Sequence, residues 1–218
     1  MSLSISVCIP CIEEHIHLLK RCVNSIYQQT LLPKEVIISI SNITDTTIGF
    51  VFTHNMVEDL IGSYRDKLKI YVLLTADKKY AGENRNTAVE FSTGDIISFI
   101  DADDIMYTNR INIIHTIFLV CGECICVLHH FTENIANQVE PSQLFDVKNI
   151  VDYNFSHQIH FGHPSFKREI FLEYKYSNSA RHQDLNFIKS IQKYRNKILI
   201  YKQQLTCYIS NDSTFFNK

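Results

Sequence analysis

Between Gly94 and Asp104 the chain reads Gly-Asp-Ile-Ile-Ser-Phe-Ile-Asp-Ala-Asp-Asp, an apolar run that stops abruptly in three carboxylates. A continuous apolar run of this length, bounded by glycine and by acids, describes a strand buried on both faces; a strand with one wet face would alternate. Charge is expensive in such an interior, so Asp101, Asp103 and Asp104 must lie where the strand emerges, facing water, a cation or a basic partner. In open α/β sheets the C-terminal strand ends are where ligands bind. Three hard oxygen donors suit Mg²⁺ or Mn²⁺, metals that usually accompany phosphates. A competing reading makes Asp104 the cap of a helix starting near Ile105, with its neighbours favoured by the helix dipole. Capping accounts for one or two of the acids, not for three.

The rest of the first half keeps one cadence. Leu3 to Ile9 is an apolar strand, and Glu13 to Gln29 repeats Ile16, Leu19, Cys22, Val23 and Ile26 at helical spacing. Pro33 breaks the chain before a strand from Glu35 to Ile40, and Asn42 to Thr47 is turn-like. A helix from His54 to Lys67, a strand from Leu68 to Leu74 and a helix from Ala81 to Phe91 follow, and Gly94 stops the last. Asp95 to Ile100 is the fourth strand, Asp104 to Val120 a helix and Cys124 to His130 a fifth strand. Alternation of this kind implies right-handed crossovers and an α/β fold: a doubly wound, mainly parallel sheet with helices on both faces. The second half is less regular. Residues 132–163 read as a long loop, Pro164–Tyr174 and Arg181–Tyr194 as helices, and Lys197–Tyr201 and Leu205–Ile209 as strands. At 218 residues, with no repeat or linker, a single domain is expected over the whole chain.

Composition removes several classes. A formal net charge of -2 with no long Lys/Arg run argues against nucleic acid as a partner. The N-terminus reaches its first strand at once, without a basic leader, and the apolar stretch from Ile111 to Val120 is too short for a transmembrane segment. Seven cysteines, an odd count, then point to reduced thiols and a cytoplasmic setting. The spacings Cys8/Cys11 and Cys121/Cys124 invite a zinc reading, but Cys8, Cys124 and Cys126 fall within strand patterns, which favours buried thiols. His157, His160 and His163 recur at every third position; beside Gly162 and Pro164 this is not a helical zinc spacing.

Four local features should meet at one edge of such a sheet. Strand one ends in Pro10-Cys11-Ile12-Glu13 and strand two in Ser39-Ile40-Ser41-Asn42. The segment after strand three holds Lys78, Lys79, Gly82, Arg85 and Asn86, and strand four ends in the acids. Acids for a metal and cations for phosphate would then line one crevice. Judged alone, Lys79 and Arg85 read equally as a solvated helix face.

The segments SISVCIPCIEE, PKEVIISIS, YAGENRNTAVEFSTGDIISFIDADD, GHPSFKREIF and RHQDLNF, in that order, resemble a family 2 glycosyltransferase of the GT-A fold. The resemblance runs from about Ser4 to about Ile191. It implies an inverting enzyme that transfers a sugar from a nucleotide-sugar, a UDP-sugar by preference, to a glycan or other hydroxyl acceptor, with Mn²⁺ or Mg²⁺. Residues 1–104 would form the donor half and 105–218 the acceptor half. By the same resemblance Pro10 through Glu13 line the nucleobase pocket, and Gly82, Arg85 and Asn86 match an element beside the nucleotide, with Lys79 near the diphosphate. Asp101 and Asp103, flanking Ala102, match the DxD pair: Asp101 at ribose or metal-bound water, Asp103 on the metal. Asp184 stands at the general base, and His163 near the donor phosphates as a further metal ligand. Two departures are visible. Ser39 and Ser41 stand where many relatives carry an acidic pair for the base, leaving hydroxyls such as Ser41 or backbone to read it. Gln183 replaces a glutamate beside the base.

Two other functions fit part of this pattern. A sugar-nucleotidyltransferase shares the layout and metal, but that class carries a glycine-rich basic loop after strand one, where this chain has Pro10-Cys11-Ile12-Glu13-Glu14. A non-catalytic nucleotide-sugar or carbohydrate binder would not need Asp184. The sequence does not set the oligomeric state.

Overall fold

Burial explains the strands that form first. In the computed structural model, which describes residues 3–133, 144–153, 159 and 161–209, β1 (Ile5–Ile12) and β2 (Glu35–Ser41) are almost wholly inaccessible. With β3 (Ile70–Leu74) and β4 (Ile96–Phe99) they form a parallel block, in register at Ile9↔Ile38, Ile38↔Val72 and Cys8↔Phe99. Alternate residues feed opposite faces, as a period of two requires. Val7, Ile9, Val36 and Ile38 pack on one side with α1 (Leu19–Tyr27), α2 (Thr47–Ile61) and α4 (Arg110–Val120). Cys8, Ile37, Ile97 and Phe99 pack on the other with α3 (Ala81–Phe91), α5 (Ile170–Glu173) and α6 (Gln183–Ser190). Helices therefore cover both faces, as the sequence predicts.

The sheet continues past β4 with two long strands, β6 (Cys126–Glu133) and β9 (Ile198–Tyr208), and three short ones, β5 (Ile105–Met106), β7 (Ile150–Asp152) and β8 (Ser165–Lys167). Its order is β3-β2-β1-β4-β8-β6-β9-β5, with β7 also on β9. β8 runs antiparallel between β4 and β6, β6 and β9 are parallel, and β5 and β7 run antiparallel to β9. The result is one mixed α/β domain on a mostly parallel sheet.

Several sequence expectations are corrected here. The helix predicted from Asp104 begins only at Arg110, because Ile105 and Met106 pair with Cys207 and Thr206 of β9. Asp104 therefore caps no helix; its Oδ1 accepts the backbone N–H of Ile209 at 2.8 Å. The helix predicted over Pro164–Tyr174 is β8 followed by one turn, α5. The two C-terminal strands are one, irregular in its register with β6 between His129 and Phe131. The second helix starts at Thr47, seven residues earlier than its apolar spacing implies, where Thr46 Oγ1 accepts the Gly49 N–H at 2.9 Å. The first predicted helix opens as a tight 3-10 turn over Glu13–Leu18. His157 and His160 lie outside the described residues. No helix among those described is long and apolar enough to cross a membrane.

Candidate active site

The C-terminal ends of β1, β2 and β4 open into a cleft of about 620 Å³, closed on the far side by α6 and the end of β9. Pro10, Lys79, Arg85, Asp101, Ala102, Asp103 and Asp184 all line it. Residues from the first and last thirds of the chain thus converge where the strand order reverses between β1 and β4, the place a doubly wound sheet reserves for ligands.

The acids are held from beneath. Arg21 of α1 donates to the Asp103 carbonyl, and the Cys22 thiol lies 3.5 Å from the Asp101 carbonyl. His163, fully buried, sits behind the cluster: its Nε2 accepts the Asp101 N–H at 3.1 Å and lies 3.1 Å from Asp104 Oδ2 and 3.5 Å from Asp101 Oδ2. One nitrogen cannot both accept from that amide and donate to a carboxylate, so its protonation decides which it serves. Burial draws the imidazole pKa down, and the two carboxylates more than reverse this, giving a net rise. Ligand atoms of Asp101, Asp104 and His163 lie within 4.8 Å of one another, a set that could hold a cation. Asp103 stands outside that trio but on the cleft wall. Burial first, then Asp104 and Asp101, push its carboxyl up to about 6. Carboxylates crowded this closely are unfavourable alone and favourable around a hard divalent ion. The donor set fits Mn²⁺ or Mg²⁺.

α3 supplies the opposite charge. Its first turn is closed by Glu83, whose carboxylate accepts the Tyr80 N–H at 3.3 Å. Arg85 Nη2 reaches Asp101 Oδ1 at 2.7 Å, and its guanidinium rests against the edge-on pair of Phe99 and Tyr176, with ring centroids 5.8 and 5.6 Å away. Nε and Nη1 of this buried side chain have no hydrogen-bond partner. A buried guanidinium with donors to spare on a cleft wall is suited to an anion. Lys79 Nζ donates to Thr87 Oγ1 at 3.0 Å, which bends it along α3 beside the cleft.

α6 brings Asp184. His182, in a left-handed conformation at φ 61°, turns the chain into the helix so that Gln183 and Asp184 both face the cleft. Asn42, at φ 66° across the cleft, is the other non-glycine left-handed residue among those described. Backbone strain of this kind gathers at ligand sites. Asp184 Oδ1 accepts the Leu185 N–H at 2.8 Å, and Gln183 Oε1 is buried without a partner.

Five sequence-predicted residues do not line the cleft. Glu13 turns towards α2, accepting from Thr53 Oγ1 at 3.1 Å, and Glu14 takes its place beside Asn42, whose Nδ2 donates to Glu14 Oε1 at 3.1 Å. Ser41 accepts from Asn84 Nδ2 at 2.8 Å, while Asn84 also takes the Ser39 hydroxyl at 3.0 Å and gives to the Cys11 carbonyl at 2.9 Å. Both serines are thereby spent on one buried amide that ties β1, β2 and α3 together. Asn86 exchanges two hydrogen bonds with the backbone of Tyr176, each 2.9 Å. Gly82 allows α3 to touch the segment before α6: a Cβ there would stand 2.7 Å from the Ser177 carbonyl. His163 supports the acids from behind. Glu14, Asn84, Tyr208 and Arg110 escape a reading of the sequence. Only Arg110 carries a local signal, as the one Lys, Arg, Asp or Glu in a largely apolar helix.

Residues 6–181 match the family described as Glycosyl transferase family 2, and the chain belongs to that family. Among solved structures it is similar to S. aureus TarS 1-349 in complex with UDP-GlcNAc, at 16% identity and a TM-score of 0.73, covering 99% of this chain and 62% of that one. It is likewise similar to the mannosyltransferase PcManGT from Pyrobaculum calidifontis in complex with GDP-Man and Mn²⁺, at 17% identity and a TM-score of 0.71, covering 99% and 59%. The chain thus spans about 60% of the length of these structures. At such identity the likeness is one of fold. No curated protein matches the chain.

Proposed function

We propose that this chain is a metal-dependent inverting glycosyltransferase that moves a sugar from a nucleotide-sugar to an acceptor hydroxyl. The observation that carries the reading is convergence: Asp101 and Asp103, Arg85 and Lys79, and Asp184 face one cleft from three different elements. Family membership supports the reaction class, and the neighbours bound to UDP-GlcNAc and GDP-Man support a nucleotide-sugar. A UDP-sugar is the favoured donor, with a glycan or other hydroxyl as acceptor. The donor half is assigned to residues 1–104 and the acceptor half to 105–218.

Asp101 and Asp103 would hold Mn²⁺ or Mg²⁺, with His163 and Asp104, whose ligand atoms lie within 4.8 Å of that of Asp101, able to complete the set. When bound, the ion supplies positive charge to the diphosphate as it leaves. Arg85, paired with Asp101 on the cleft wall, and Lys79 add positive charge beside the same anion. Pro10 and Ile12 form the wall for the base, and Glu14 with Asn42 offers it an acceptor and a donor. The Asp184 carboxylate takes the proton from the acceptor hydroxyl as attack proceeds, a contribution typically of about 10²–10⁴ in rate. Direct displacement inverts the anomeric centre.

Turnover of a nucleotide-sugar panel with Mn²⁺, followed by the anomeric configuration of the product by NMR, tests this. Asp184→Asn should keep the nucleotide Kd within a few-fold of wild type and lower kcat by about 10²–10⁴. Transfer at the wild-type rate would remove Asp184 from the mechanism, and a retained configuration would remove direct displacement.

A further inference from the structure

Arg110 heads the fully buried side chains by size, yet it is a cation. It opens α4, at the helix end where the dipole disfavours positive charge. Among the described residues, its guanidinium binds no carboxylate directly. Nη1 donates to Thr206 Oγ1 of β9 at 2.9 Å; Nη2 lies 2.6 Å from the Phe99 carbonyl and 3.3 Å from Ser98 Oγ, both in β4, and 3.4 Å from the His163 carbonyl. Burial draws it down to about 9, with Cys22, Asp104 and Asp101 pulling the other way, so it remains charged at neutral pH. A buried charge is costly unless something compensates it. Here compensation comes from Asp104 and Asp101, and two of its four acceptors are the carbonyls of Phe99, two residues before Asp101, and of His163, whose ring contacts both acids.

We propose that Arg110 is a positioning residue of the cleft: its planar fork ties the end of β4 to the His163 turn and to β9, and so sets the spacing of Asp101, Asp104 and His163 before any ligand arrives. The ligand itself rests on the functional reading above; the positioning does not. A lysine would keep the charge but, as a point donor on a flexible stem, would not span these acceptors in one plane.

Hydrogen exchange of the cation-free protein reads the positioning directly. The informative amides are Ile100, bonded to Cys8, Asp101, bonded to His163 Nε2, and Asp104, bonded to the Asp101 carbonyl. In Arg110→Lys these should exchange at least tenfold faster than in wild type. Ile117→Ala, a core truncation on the same helix, should destabilise globally without that local rise. Mn²⁺ affinity measured by calorimetry should fall roughly 10–100-fold in Arg110→Lys and stay at the wild-type value in Ile117→Ala. Unchanged exchange at those three amides, or a rise no larger than in Ile117→Ala, overturns the proposal. A wild-type protein that takes up neither Mn²⁺ nor nucleotide overturns the functional reading instead, and exchange still decides the role of Arg110. If Arg110→Lys does not fold, Thr206→Val removes one contact alone and must give the same local rise at smaller size; its absence also overturns the proposal.

Discussion

The carboxyl of Asp103 sits at about 6 rather than 3.8, raised by burial and then by Asp104 and Asp101. A carboxyl raised above its unfolded value contributes stability that is complete below about 3.8 and lost as pH climbs through about 6. At pH 7.5 the ionised side chain therefore weakens the cation-free fold, by an amount on the order of 2 kcal/mol. Asp103→Asn should melt several degrees above wild type in EDTA at pH 7.5 and level with it near pH 4, while losing Mn²⁺-dependent nucleotide binding. Equal melting at both pH values would show that Asp103 carries no such penalty. In wild type, Mn²⁺ affinity should drop as pH falls through about 6, where protons compete for the same oxygens; calorimetric titrations from pH 5 to 8 would check this. Three acids after an apolar run were legible because charge beside a buried strand demands a reason. Glu14 and Asn84 were not. Glu13 and Glu14 are adjacent acids, and only the 3-10 turn after β1 decides which faces the cleft and which faces Thr53.

At the scale of elements, the contact between α3 and the segment before α6 brings Asp184 to the donor side. Gly82 makes it possible. An added Cβ would stand 2.7 Å from the Ser177 carbonyl and 3.1 Å from Gln183 Cγ, and a backbone carbonyl cannot swing aside as a flexible side chain can. Gly82→Ala should cost about 1–3 kcal/mol and push α6 outwards. Transfer should then fall by more than an order of magnitude while nucleotide binding, which rests on α3 and β4, stays within a few-fold; steady-state kinetics beside calorimetry would separate the two. Gly62→Ala is the control, since its Cβ meets only Glu58 Oε2, at 3.5 Å. The strands buried on both faces, β1, β2 and β4, announce themselves by unbroken apolar runs, and α3 by its helical spacing. The two- and three-residue strands β5, β7 and β8 cannot: a pair such as Ile105–Met106 shows no period, and pairing with β9, a hundred residues away, overrides its fit to a helix. The same override hid β8 inside an apparent helix, and the irregular stretch of β9 made one strand look like two.

At the scale of the whole molecule, one sheet carries both halves of the cleft. β1, β2 and β4 supply Pro10, Asn42 and the acids, while β9 supplies Tyr208, and β8 joins the two blocks through hydrogen bonds to β4 and β6. A ligand lodged between them should therefore stabilise the entire fold, not one lobe. Binding to the native state alone adds about 2.7 kcal/mol when the free ligand stands at a hundred times its Kd. For a chain of this size that raises Tm by roughly 5–10 °C. The charges decide how the shift divides between metal and nucleotide. Mn²⁺ alone meets acids already partly answered by Arg85 and Arg110. A nucleoside diphosphate alone meets Arg85 and Lys79 but also the carboxylates of Asp101 and Asp103. Each should shift Tm by a few degrees at most, and the two together by more than the sum. Dye-monitored melting suits the test, because the chain has no tryptophan. Asp103→Asn should keep the small nucleotide shift and lose the synergy with Mn²⁺. Strictly additive shifts in wild type would mean that the ion and the diphosphate do not share the cleft, and the assignment of Asp101 and Asp103 to a donor-bridging metal would fall with them.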